Sequence, residues 1–326
     1  MSETNAQIKK VVSQLISVLN PRNREIISRR FGLKTGKKET LESIGQSHHI
    51  TRERVRQIEE ASLAQIRSNA LASVQPFAAL AKEILESHEG VANEREMFEK
   101  FSGSSEDSAV NASLVFVLAL HGNFHRSPED DDFYTFWALS SEHREQFQNR
   151  VADFIGTLDK PKQIASDAVA SYLSVSKNIG KNVFGEIGLN SWAEIRPRGV
   201  RDKSYLVLKK KGKPKHFREI TSLINSANFG NRKAHVQTVH NELIKDDRFV
   251  LVGRGIYGLA EWGYEPGTVK QVIANLLRKD GPQSKDKIVA HVMASRMVKA
   301  NTVVLGMQDR NLFRENENGH IALKDA

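Results

Sequence analysis

Residues 40–65, TLESIGQSHHITRERVRQIEEASLAQ, constrain the chain most, because they spell two capped helices joined by a turn too short to allow many arrangements. Thr40 can cap a first helix whose apolar face is Leu41 and Ile44. Ser47-His48-His49-Ile50 then makes the turn, and Thr51 caps a second helix. In that helix Val55, Ile58 and Ser62-Leu63 recur at three- and four-residue steps, which leaves Arg52, Glu53, Arg54, Arg56 and Gln57 on outward faces. This is the layout of a helix-turn-helix recognition helix, whose first turns carry the Arg, Gln and Glu side chains that pair with guanine, adenine and cytosine edges in the major groove. A solvated surface helix also carries mixed charges, so the surrounding words decide between the two readings.

Those words are Asn20-Pro21-Arg22-Asn23-Arg24-Glu25-Ile26-Ile27, Arg30-Phe31-Gly32-Leu33, Thr40-Leu41-Glu42-Ser43-Ile44-Gly45 and Thr51-Arg52-Glu53-Arg54-Val55-Arg56-Gln57-Ile58-Glu59. Together, over residues 10–70, they resemble the fourth conserved region of primary sigma factors of bacterial RNA polymerase. The resemblance implies a segment that reads the upstream promoter hexamer and docks on the beta-subunit flap of the polymerase core. Carried over position by position, Arg52, Glu53, Arg56 and Gln57 match the family's base- and phosphate-contacting residues, and Thr40, Thr51, Arg54, Lys37 and Lys38 complete the candidate DNA-binding set. The sequence departs from the family at His48-His49, where a Phe usually precedes the turn.

Length and charge set the wider frame. A chain of 326 residues suggests two to four domains, and 39% hydrophobic residues suffice for several small cores. With no cysteine there are no disulfides or thiolate metal sites, as in a reducing compartment. The first ten residues lack an apolar signal core, and the apolar run 113–120 is too short to span a bilayer. These features predict a cytoplasmic protein without a membrane partner. A net charge of +9 invites a polyanion, but its distribution says more. Residues 1–74 hold 13 basic against 7 acidic residues, residues 75–145 hold 5 against 14, and each later segment is again net basic.

Residues 7–19 show a helical stripe of Ile8, Val11, Val12, Leu15, Ile16 and Leu19, and a second helix over 22–30 stops at Gly32. Lys34-Thr35-Gly36-Lys37-Lys38 is a basic loop, suited to a phosphate or simply solvated. Beyond residue 74 the chain repeats a grammar of three helices and a two-stranded hairpin. The clearest internal match sets Gly188-Leu189-Asn190-Ser191-Trp192 against Gly258-Leu259-Ala260-Glu261-Trp262. The expected fold is therefore mainly α: a helix-turn-helix domain at 1–74, then tandem winged-helix units at 75–145, 146–202, 203–264 and 265–326.

In the third unit His216-Phe217-Arg218-Glu219-Ile220, Thr238-Val239-His240-Asn241-Glu242-Leu243, Arg248-Phe249-Val250 and Gly253-Arg254-Gly255-Ile256-Tyr257-Gly258-Leu259 resemble the HARE-type winged helix, also found in the delta subunit of RNA polymerase. The resemblance implies DNA binding or attachment to DNA-handling machinery. The helix over 234–245 would face a groove with Gln237, Thr238, His240, Asn241 and Lys245, and Arg254 would tip the wing. In the fourth unit the corresponding helix, 302–309, is apolar and suits packing rather than base reading. Trp192 and Trp262 each end a wing and are expected to form joints between neighbouring units.

His121 and His125 have a metal-like spacing, but Gly122-Asn123 breaks the helix between them. Gly253-Arg254-Gly255 lies in a hairpin and is followed by no Lys-Ser/Thr, and the acidic run 129–132 falls in a polar loop. The sequence thus predicts no enzyme, metal, cofactor or small-molecule substrate. Its expected partners are double-stranded DNA and RNA polymerase core. Alternatives are a free-standing repressor or activator, or a polymerase-binding scaffold with little DNA specificity. Without segments resembling the other sigma regions, it is not expected to initiate transcription alone.

Overall fold

A computed structural model describes residues 2–324, and the chain divides into two compact, mainly helical units, residues 1–180 and 181–326. The first unit opens with α1 (Ser2–Ile16), α2 (Pro21–Phe31), α3 (Leu41–His48) and α4 (Arg52–Glu86). Their boundaries have local causes. The Asn20 side chain accepts the Asn23 N–H to cap α2, Pro21 occupies its first turn, and Gly32 ends it in the left-handed region at φ 71°. The hydroxyls of Thr40 and Thr51 accept the N–H of Ser43 and Arg54 at 3.1 and 3.2 Å. Between them His49, at φ 54°, stops α3.

Helix α4 is 35 residues long, about 50 Å. It runs straight through position 74/75, where the charge pattern suggested a domain boundary. The physical reason is that the buried stripe Ile66, Ala70, Val74, Phe77, Ala81 and Leu85 continues across the change of charge. Pro76 lies on the exposed side, where its missing N–H leaves a carbonyl to water. The first helix of the unit expected at 75–145 is therefore the end of α4, which closes at Glu86.

After it come β1 (Val91–Asn93), α5 (Glu94–Ser102), α6 (Ala109–His121), β2 (His125–Ser127) and β3 (Phe136–Ala138). The strands form an antiparallel sheet in the order β1-β3-β2, with Trp137 opposite both Ala92 and Arg126. Helix α6 is apolar nearly all round, so it is buried on every side. One core then joins Ile8 and Val12 of α1, Phe31 of α2, Val74 and Phe77 of α4, and Leu114, Phe116 and Trp137. Residues 1–74 and 75–145 therefore share a helix and a core. Helix α7 (Ser141–Gly156), strand β4 (Lys162–Gln163), helix α8 (Ala170–Val175) and strand β5 (Ile179–Lys181) follow. Phe133, Phe136, Phe147 and Tyr172 form a chain of ring contacts among them.

In the second unit, β6 (Glu186–Leu189) and α9 (Val200–Lys211) precede β7 (Lys215–His216), α10 (Phe217–Ser226), α11 (Val236–Lys245), β8 (Phe249–Gly253) and β9 (Ile256–Leu259). The sheet order is β7-β9-β8, so a third strand supplements the expected hairpin. Leu208, Ile220, Val239, Leu243, Tyr257 and Leu259 form its core. A second core, Val272, Ile273, Ile288, Val292, Val303, Phe313 and Ile321, lies among α12 (Val269–Asp280), α13 (Lys285–Ser295), α14 (Ala300–Met307), β10 (Phe313–Glu315) and β11 (Ile321–Leu323).

Trp262 does not serve as the expected joint between these cores. It packs on the first core, with its ring 6.3 Å from that of Tyr264. The link is Arg296, which is buried and donates to the carbonyls of Leu251, Glu265 and Gly267, while the Met297 N–H bonds the Val252 carbonyl at 2.8 Å.

Candidate nucleic-acid interface

The helix-turn-helix has its own small core. Ile26 of α2, Ile44 of α3, and Val55 and Ile58 of α4 are buried together, with Leu41 and Ile50 against them. Gly45 lets the turn close: a Cβ there would stand 2.7 Å from the Ile50 carbonyl oxygen. Half-buried His48, at the family's Phe position, brings Nε2 to 3.9 Å from Glu25. Two ion pairs tie α2 to its neighbours. Arg29 forks onto Glu39 at 2.7 and 2.9 Å, and Arg30 reaches Glu59 of α4 at 3.0 Å. Sequence reading missed both, since nothing in their spacing pairs residues 10 and 29 positions apart.

Turning Val55 and Ile58 inward turns Arg52, Glu53, Arg54, Arg56 and Gln57 outward, and all five are exposed. They organise one another. Arg56 bonds both Glu53, at 2.8 Å, and Glu60, and its hydrogen bond holds the Glu53 carboxyl below the usual carboxylate range. Arg54 donates to the Gln57 side-chain oxygen at 3.1 Å. Of the three outward arginines, Arg54 and Arg56 are engaged in this way, whereas for Arg52 no side-chain hydrogen bond occurs among the described residues, which leaves it open to a ligand. Thr40 and Thr51 accept cap bonds and keep their hydroxyl hydrogens to donate.

Lys37 and Lys38 are both exposed, and Lys38 also lines an open cleft of about 360 Å³ with Arg30, Phe31, Glu59, Phe124, Arg126 and Trp137. Loss of solvation there, reinforced by Arg126, holds the Lys38 ammonium below the ordinary lysine range. Lys38 thus stands beside the wall of the following sheet while remaining exposed, as Lys37 is. At that wall Glu94 accepts two bonds from Arg126, at 2.6 and 2.8 Å, and one from the Trp137 indole. Burial works against its ionisation, but the Arg126 fork outweighs burial and keeps the carboxyl below its ordinary value. The acidic run is also engaged: Lys177 pairs with Glu129 at 2.7 Å, and Asn178 donates to Asp132 at 2.8 Å.

In the second unit, Gln237, Asn241 and Lys245 lie on the exposed side of α11, and Arg254 is exposed at the β8–β9 turn. Gln237 donates to Asn241 at 3.0 Å, and Thr238 is exposed beside them. His240 is withdrawn from that face, since its ring stacks on Phe217 at 4.3 Å. Among the described residues no cluster of three or more metal-ligating side chains occurs, and no helix is long and apolar enough to cross a membrane.

A capped turn, an inward Val/Ile pair and an outward row of Arg, Glu and Gln define a helix-turn-helix of the duplex-reading class. The family profile described as Sigma-70, region 4 matches residues 15–68, and that segment is a sigma-70 region 4 domain. Similar proteins include the RNA polymerase sigma factor SigA1 of Synechococcus elongatus, 42% identical over 60 residues, which is 18% of this chain and 15% of that protein. The principal sigma factor HrdD of Streptomyces coelicolor is 41% identical over 59 residues, 18% of each chain. The chloroplastic sigma factor sigF of Arabidopsis thaliana is 38% identical over 69 residues, 21% of this chain and 13% of that one. Each of these likenesses covers about a fifth of this chain, and the chain spans about 15% of the length of the first of these relatives.

Proposed function

We propose that this protein is a non-enzymatic, sigma-factor-related transcription regulator that reads a promoter-like duplex with the first two turns of α4 and associates with RNA polymerase core through the beta-subunit flap. The observation that carries this reading is the exposed row Arg52, Glu53, Arg54, Arg56 and Gln57, presented by a capped helix within a sigma-70 region 4 domain. Arg52, Glu53 and Gln57 are assigned to base edges, Arg56 to a base or a phosphate, and Arg54, Lys37, Thr40 and Thr51 to the backbone. The core shared with α6 and the sheet supports a rigid mount for that helix, so it meets DNA without prior ordering.

The order helix, strand, two helices and two strands from α9 to β9 is that of a winged helix, and we assign it to the HARE type as a second DNA contact. Gln237, Asn241 and Lys245 form its groove face and Arg254 its wing tip. The test is sequencing of DNA co-purified with the full chain, with and without core polymerase. A shared promoter-like motif that sharpens with polymerase supports the reading. Recovery of DNA without any motif under both conditions would refute it.

A further inference from the structure

The outward face of α11 carries an apolar residue beside its amides. Val239 and Leu243 turn into the core, so Gln237, Asn241 and Ile244, spaced four and three residues apart, share the opposite face. All three are exposed, Ile244 to 63%. Gln237 donates through Nε2 to the Asn241 Oδ1 at 3.0 Å. The Gln237 oxygen and the Asn241 amide nitrogen stay open, an acceptor and a donor tied together along the helix. The surroundings are cationic. Arg232 and Lys233 precede the helix and Lys245 closes it, all exposed and, among the described residues, none in an ion pair. Glu242 is held by Arg201 at 2.9 Å and Asp246 by Arg248 at 2.7 Å. Among the described residues, Asp247, beyond the helix end, is the one unpaired carboxylate from 232 to 247.

We infer that α11 selects adenine–thymine pairs in the major groove: the Gln237–Asn241 pair accepts from N6 and donates to N7 of adenine, and Ile244 covers the C5 methyl of a neighbouring thymine. The inference rests on the assignment of α9 to β9 as a DNA contact, and it names the bases that this contact takes. The edges of the bases decide the choice. Adenine sets an acceptor, N7, beside a donor, N6, which is the complement of the open amide pair, and thymine adds a methyl group that suits an apolar side chain. Guanine offers two acceptors, N7 and O6, so the Gln237 oxygen would face another oxygen. The unpaired cations at both ends of the helix suit phosphates on either side of a groove.

The test uses the full chain carrying Arg52→Ala and Gln57→Ala, which removes the α4 side chains assigned to bases, and fluorescent duplexes of adenine–thymine, inosine–cytosine or adenine–uracil pairs. Inosine shows the guanine acceptors in the major groove while its minor groove matches that of adenine, and uracil lacks only the methyl group. By anisotropy the adenine–thymine duplex should bind about fivefold or more tighter than inosine–cytosine and about twofold tighter than adenine–uracil. Asn241→Ala should erase the first difference and Ile244→Ala the second. Both positions are exposed, and circular dichroism of the variants checks that each is folded. Equal binding of adenine–thymine and inosine–cytosine, or a preference that Asn241→Ala leaves intact, would overturn the inference, and a methyl effect that survives Ile244→Ala would overturn the role of that residue. Arg254→Glu separates such a result from failure of the underlying assignment: weakened binding to all three duplexes keeps the DNA contact and strikes only the choice of bases, whereas unchanged binding strikes both.

Discussion

Arg56 and Glu53 face each other across one turn of α4, with Nη2 2.8 Å from Oε1, so a cation placed to meet phosphate already has a carboxylate partner. Glu60 holds the same guanidinium from the next turn. Both carboxylates are exposed on a helix that is to approach a polyanion. Glu60→Gln removes one repelling charge and one competitor for Arg56, and it should tighten binding to duplex DNA about threefold at low salt. Titration by fluorescence anisotropy at two salt concentrations checks this, since the gain should shrink as salt rises.

Gly36 lies so close to α6 that a Cβ on it would stand 2.7 Å from the Ser108 Cα, and its φ is +81°. Gly36→Ala should cost at least about 2 kcal/mol, from backbone strain plus the clash. Gly122, at φ +82° with nothing within 4 Å of a built Cβ, supplies the control: Gly122→Ala should cost only the strain, about 1 kcal/mol. Urea denaturation of both variants gives the comparison. Equal losses would show that the basic loop is not locked to α6.

The acid limb of stability should depend on Glu94. Its carboxyl is held below the ordinary value of 4.5 by Arg126 and Trp137 against the cost of burial. A depressed folded value stabilises above the unfolded one, and the contribution is lost as pH falls through the folded value. Glu94→Gln should therefore be less stable than wild type at neutral pH, and the gap should narrow steadily below about pH 4.5. Thermal melts across that range test it.

Arg296 is the charged bridge between the two cores of the second unit, donating to three carbonyls in a buried site. Arg296→Met preserves the aliphatic stem but leaves those carbonyls unsatisfied, and should cost about 3 kcal/mol. Calorimetry should show the melting of residues 181–326 shifted down or split into two transitions. Wild-type melting would move the joint elsewhere.

What could be read in the sequence follows from how local each cause is. Thr40, Thr51, Val55 and Ile58 act within one or two helical turns, so the helix-turn-helix and its outward row were legible. The continuation of α4 was not, because net charge changed at residue 75 while the apolar spacing through Val74, Phe77 and Ala81 did not. Strands β1 and β7, three and two residues long, are too short for alternation to register, so the third strand of each sheet went unread. Trp262 was misplaced for a different reason. It packs on the core of Leu208, Ile220 and Val239, residues that only the tertiary fold brings to it.

The central claim is that α4 reads bases, and selection of bound duplexes from a randomised pool tests it most directly. The full-length wild type, Arg52→Ala and Gln57→Ala should be selected in parallel, followed by affinity measurements on the recovered consensus. The account predicts a defined wild-type motif in which each variant relaxes a different position, with a loss of roughly 1–3 kcal/mol on that consensus. A wild-type motif that both variants reproduce unchanged, or selection of no motif at all, would contradict it.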